Sequence, residues 1–181
     1  MSILSQQSIK SRIETWDIIY DPIERLDKLI SKQSIDCTLH PTYFVNSKLW
    51  WLKHDMTEVQ MFNTWDFILC IIDEWVGTKA WSGLCMEFKL KSTSARLGIN
   101  HPIAWFCENW YFSRLCIELS FSRTVYLQAW MSIWQFIFHT IEWDTIDYVE
   151  WGTYQKHSTL EEVKANWKPE DILPSNLKII S

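Results

Sequence analysis

Four groups of side chains have types and spacings that could do chemistry. The densest is the run Glu142-Trp143-Asp144-Thr145-Ile146-Asp147-Tyr148-Val149-Glu150-Trp151, with four carboxylates, three aromatic rings and no base. Aromatic anchors inside a charged rim are what protein-binding hot spots use. Glu142, Trp143, Asp144, Asp147, Tyr148, Glu150 and Trp151 are therefore expected to form a partner-binding surface. Carboxylates there would steer a basic partner and accept hydrogen bonds from its Arg and Lys side chains.

The second group is Asp66, Asp73 and Glu74. Read on a helix, Asp66 and Asp73 are seven apart and share a face. That spacing could hold a metal or pair two carboxyl groups, but further oxygen or His ligands are not close in sequence. The three are expected to be the wet stripe of that helix and to extend the acidic interface.

The third group is Cys37 with His40, and Cys107 beside Glu108. A catalytic thiol needs a lowered pKa and an oriented base. No G-x-S-x-G elbow frames a nucleophile, and His40, His54, His101, His139 and His157 make no H-E-x-x-H pair. Four glycines are too few for a phosphate or oxyanion loop. No catalytic residue, metal ligand or cofactor site is therefore assigned.

The fourth group is the aromatic excess, 13 Trp in 181 residues. Stacking on bases needs accompanying cations, and no Lys/Arg cluster exists, so direct nucleic-acid binding is not expected. Trp16, Trp65, Trp75, Trp130 and Trp134 fall at spacings typical of a core.

The elements that must position these groups read as helix-rich. Ile9, Ile13, Trp16 and Tyr20 mark a helix near 6–20. Asp21-Pro22 with Glu24 starts a second, in capping-box form. Residues 36–55 are apolar without a clean period. Thr57 to Val76 reads as one long helix, capped by Thr57 and ended by Gly77. Residues 84–91 and 115–122 alternate with period two: Leu84, Met86, Phe88 and Leu90 on one side, and Leu115, Ile117, Leu119 and Phe121 opposing Cys116, Glu118, Ser120 and Ser122. These are expected as half-buried antiparallel strands, with a further strand between them in 105–112. Thr124 to Ile141 is 18 residues without a formal charge. Its Gln, Ser, His and Thr side chains would need partners in lipid, so a buried core helix is expected there rather than a membrane span. Ser158 and Glu161 cap a short helix near 159–167, and Pro169 and Pro174 make 168–181 an irregular surface segment.

The expected fold is α+β, helix-rich with a small antiparallel sheet, or alternatively an all-α bundle. One domain over 1–181 is expected, since length and composition (48% hydrophobic, 22% charged) are those of a globular domain. Five cysteines without a C-x-x-C pair point to reduced, buried thiols and a cytoplasmic setting. The N-terminus has no apolar run or A-x-A site of a signal peptide. The net charge is −5, with eight acids against four bases after residue 123.

Together these imply a non-enzymatic protein-binding module: a small acidic inhibitor of the toxin-immunity kind. Its partner would be a basic protein, such as a toxin domain or a nuclease, with self-association a further option. The alternative is a small enzyme or ligand-binding domain with an aromatic-lined pocket.

Overall fold

The computed structural model describes residues 2–46, 51–102, 106–142, 159, 161 and 162. The chain runs α1 (Gln6–Glu14), β1 (Ile18–Asp21), a 3-10 turn (Ile23–Arg25), α2 (Leu26–Leu29), β2 (Ile35–Asn46), β3 (Trp51–Asp55), β4 (Gln60–Phe62), β5 (Phe67–Ile72) and β6 (Trp75–Thr78). It continues with β7 (Leu84–Leu90), α3 (Ser92–Arg96), β8 (Ile99–Asn100), β9 (Phe106–Cys107), β10 (Phe112–Ser113), β11 (Cys116–Phe121), β12 (Val125–Leu127) and β13 (Ser132–Thr140).

Eight strands form one antiparallel sheet in the order β8-β11-β5-β2-β13-β7-β9, with β3 paired to β2. Strand β2 makes the sheet curl. Its first half pairs with β13, Ile35 opposite Phe136, and its second half pairs with β3 and β5. The register to β5 shifts between Leu39 and Tyr43, and a shift of that kind bends a strand. A three-stranded sheet β1-β6-β10 and the pair β12-β4 complete the fold.

The core follows from period-two alternation. Ile35, Cys37 and Leu39 of β2, Ile68, Cys70 and Ile72 of β5, and Leu84, Met86 and Phe88 of β7 point to one inner face. Ile117, Leu119 and Phe121 of β11 join them with Trp134, Phe136 and Phe138 of β13. Phe88 stands at the centre, 5.0 Å from the Phe136 ring and 5.7 Å from Trp134. Each such buried ring contributes roughly 2 kcal/mol. A smaller apolar cluster, Phe44 and Ile71 with Leu69 and Cys116, lies apart from this core.

The helix-rich expectation, and the all-α alternative with it, is therefore corrected: the chain is mostly β. Helix α1 ends at Glu14 instead of 20, and the second helix is one turn. The long helix expected over Thr57–Val76 is strands β4, β5 and β6, and the core helix expected over 124–142 is β12 and β13. The strands expected at 84–91 and 115–122 stand as β7 and β11. The helix near 159–167 and the segment 168–181 lie, apart from residues 159, 161 and 162, outside the described residues. No helix among the described residues is long and apolar enough to cross a membrane. All five cysteines are unpaired thiols, four of them buried.

Two glycines are required by geometry. A Cβ on Gly77 would lie 2.3 Å from the Tyr111 carbonyl oxygen, where β6 and β10 meet, and Gly98 has φ +88°. Five further left-handed positions are filled by tryptophan: Trp16 (φ 64°), Trp65 (73°), Trp81 (60°), Trp110 (65°) and Trp130 (65°). Each lies in the turn just before a strand. A side chain in this conformation costs about 1 kcal/mol or more. Of the tryptophans expected in the core, Trp134 is fully buried, but Trp16, Trp65 and Trp130 are exposed, Trp65 by 86%.

Candidate functional site

Two acidic positions stand out once the strands are in place. The first is the corner between β5 and β6, where Asp73 and Glu74 meet the 3-10 turn and β2. Glu74 is fully buried. Its carboxylate accepts hydrogen bonds from the Thr38 backbone N–H (2.8 Å) and hydroxyl (2.7 Å). The Arg25 guanidinium lies 2.6 Å from Asp73 and 3.8 Å from Glu74. The Asp73 N–H donates back to the Thr38 carbonyl at 2.9 Å, closing the corner. Burial pushes the Glu74 carboxyl up, against the pull of the Thr38 hydrogen bonds.

Beside this corner, a cleft of about 800 Å³ runs between α1, β1 and the β6–β10 pair, lined by Trp16, Tyr20, Trp75 and Phe112. The Tyr20 hydroxyl is buried without a hydrogen-bond partner among the described residues. Burial raises its pKa, and the neighbouring Glu74 charge adds to the rise.

The second position is Glu118, in the middle of β11. Strand β11 alternates: Ile117, Leu119 and Phe121 enter the core, while Cys116, Glu118 and Ser120 lie half-buried on the other face. There Glu118 stands opposite Leu69 of β5, and Cys116 opposite Ile71. Its surroundings are the apolar cluster of Phe44, Leu69, Ile71 and Cys116. Burial in that setting pushes the Glu118 carboxyl up; its own backbone N–H opposes the rise. The Cys116 thiol is raised by burial and further by the Glu118 charge.

What distinguishes Glu118 is what it lacks. The other buried or half-buried carboxylates of the described residues have partners. Asp17 pairs with Arg12, and Asp36 with Lys91. Asp66 accepts the Asn63 N–H, and Asp73 and Glu74 share Arg25. Glu87 lies 2.9 Å from Lys89 and 3.2 Å from His139. Glu118 has no ion pair and no hydrogen bond from another residue among the described ones. A half-buried carboxylate with a raised pKa and no partner among the described residues is a candidate functional group.

The residues singled out in the sequence fall differently. Trp143, Asp144, Asp147, Tyr148, Glu150 and Trp151 lie outside the described residues, and Glu142 sits exposed just beyond β13. Asp66 and Asp73 do not share a helix face. They bracket the six residues of β5, about 20 Å apart at strand rise. Asp73 and Glu74 do come together, but on Arg25 and Thr38 instead of on a partner-facing stripe. Cys37 and Cys107 are buried with their pKa raised, Cys107 to about 12, each first by burial. That is the reverse of what a nucleophilic thiol needs. No group of three His, Cys, Asp or Glu that could hold a metal lies among the described residues. Glu118 was visible in the sequence only as the acid in an alternating strand.

No protein-family model matches the chain, and no curated protein matches it. Among solved structures, the 2'-deoxycytidine 5'-triphosphate deaminase of Agrobacterium tumefaciens superposes over 76% of this chain with a TM-score of 0.63 at 15% identity. This chain spans 48% of that protein's length. The dUTPase of EIAV aligns over 61% of this chain, with a TM-score of 0.40 at 10% identity. The likeness to the deaminase is one of fold. It overturns the expectation of a non-enzymatic, toxin-immunity-like inhibitor. That reading was an argument from charge and composition, and the frame is instead a curled β fold like that of a nucleotide-metabolising enzyme.

Proposed function

We propose that the chain is a hydrolytic enzyme acting on a pyrimidine deoxynucleoside triphosphate, with deamination of the base as the reaction. The observation that carries this is Glu118: an unpaired, half-buried carboxylate of raised pKa, mid-strand in a fold shared with a deaminase of that substrate class. Hydrolytic deamination adds water to the ring carbon and expels ammonia. It needs a group that takes a proton from water and hands it to the leaving amine. A carboxyl whose pKa burial raises can do both.

The substrate's phosphates need cations, and the edge beside β11 offers two. Arg96 ends α3, just before Gly98 and β8. The Arg123 side chain follows β11 and lies against Gly98, where an added Cβ would come within 2.7 Å of it. Neither arginine makes an ion pair among the described residues. Free guanidinium groups bind phosphate oxygens in bidentate fashion.

The test is a panel of deoxynucleoside triphosphates, with ammonia and pyrophosphate release read separately. Ammonia release from dCTP, lost in Glu118→Gln, supports the proposal. Pyrophosphate release without ammonia would replace deamination by diphosphate hydrolysis. Absence of both products, with no shift in melting temperature on adding any nucleotide, overturns it.

A further inference from the structure

The chain is short of glycine and rich in tryptophan, and the two facts meet at the same turns. Glycine is four of 181 residues, where average usage would give about a dozen. Eight of the 13 tryptophans lie among the described residues, and five of those eight have a left-handed backbone. Together with Gly83 and Gly98 they make up all the left-handed positions of the described chain. A bulky residue in this region is an outlier. When glycine is absent the usual substitutes are Asn and Asp, and neither occurs here.

The fold uses the backbone of these residues. The Trp65 N–H donates to the Phe121 carbonyl at 2.9 Å, and the Trp130 N–H to the Leu39 carbonyl at 2.8 Å. The Trp110 N–H donates to the Thr78 hydroxyl at 3.0 Å, and the Trp16 N–H to the Ile13 carbonyl at 3.0 Å. The rings, by contrast, return little burial: Trp16, Trp65, Trp81 and Trp130 are each more than half exposed. A ring selected to grip a partner has no need of a left-handed backbone, and these five turns precede five different strands. Trp134 is a misfit of another kind. It sits beside the register shift of β13 with its indole N–H buried and without a partner among the described residues.

We infer that Trp16, Trp65, Trp81, Trp110 and Trp130 occupy glycine positions, and that the codon behind them is decoded as glycine in the cell that makes the working protein. Each turn then has the one residue that adopts it without steric cost, and the chain's glycine content rises to an ordinary level.

The deciding experiment is peptide mass spectrometry of the protein made from its own gene in its own host. Glycine masses at the five positions support the inference, and tryptophan masses overturn it. A second measurement reads the backbone directly. The tryptophan-containing chain and a variant carrying all five Trp→Gly changes are melted side by side, with Tyr126→Gly as control, an exposed residue of β12 without a left-handed backbone. The fivefold variant is expected to melt about 10 °C higher, while Tyr126→Gly melts lower. A fivefold variant that melts no higher than the tryptophan-containing chain overturns the inference.

Discussion

Glu74 lies in the turn between β5 and β6 and Glu118 in the middle of β11, and burial raises the pKa of both. Their neighbourhoods differ in kind. Glu74 sits in a closed corner, with both oxygens taken by Thr38 and the Arg25 guanidinium beside it. Glu118 faces an apolar cluster and is held by no other described residue. A buried charge with good partners ties elements together, here the 3-10 turn, β2 and the β5–β6 turn. Such a group leaves a large deficit when removed. A buried charge without partners makes the fold less stable, and persists where its reactivity is used. Under the proposed function, Glu74 is the structural carboxylate of the pair and Glu118 the chemical one.

The largest break in that comparison is Glu74→Ala. It strands the Thr38 N–H and hydroxyl and leaves Arg25 with Asp73 alone. The expected loss is about 3 kcal/mol, read as a melting temperature lower by about 10 °C. Glu118→Gln is next and acts on the other quantity. Turnover falls at least about 100-fold, equal to roughly 2.7 kcal/mol of barrier, while the melting temperature holds or rises. A smaller effect is expected from Arg25→Ala. The side chain is partly exposed, so losing its contacts to Asp73 and Glu74 costs about 1 kcal/mol in chemical denaturation.

The finest test is pH. Both carboxyls have folded pKa values raised above 4.5. The stability that each contributes is thus full below about 4.5 and is lost as pH rises through the raised value. Glu118→Gln should flatten that part of the stability–pH curve. A slope unchanged by the substitution would remove Glu118 as its source.

How much of this was legible in the sequence depended on which strands keep one wet face. Strands β7 and β11 do, so their alternation showed. Strands β5 and β13 are apolar over much of both faces. Phe67–Ile72 and Ser132–Thr140 therefore read as buried helix. The turns that divide them were also hidden. The turn before β5 carries Trp65, and the turn before β13 carries Trp130. With tryptophan where a turn normally announces itself by glycine, residues 57–76 and 124–142 each read as one continuous helix. The same substitution made Trp16, Trp65 and Trp130 look like core residues. Glu118 carried one weak signal, an isolated acid between Cys116 and Ser120 on the polar side of an alternating strand. Its lack of a partner is a tertiary property, set by β5 and β2 alongside it.

The most direct test of the difference between the two carboxylates is a ¹³C NMR titration of carboxyl-labelled glutamate, with resonances assigned from Glu118→Gln, recorded with and without dCTP. The account predicts that Glu118 titrates above the normal carboxyl range and that dCTP shifts its resonance, while Glu74 does not respond. A Glu118 resonance indifferent to the nucleotide, or one that moves no more than that of Glu74, would contradict it.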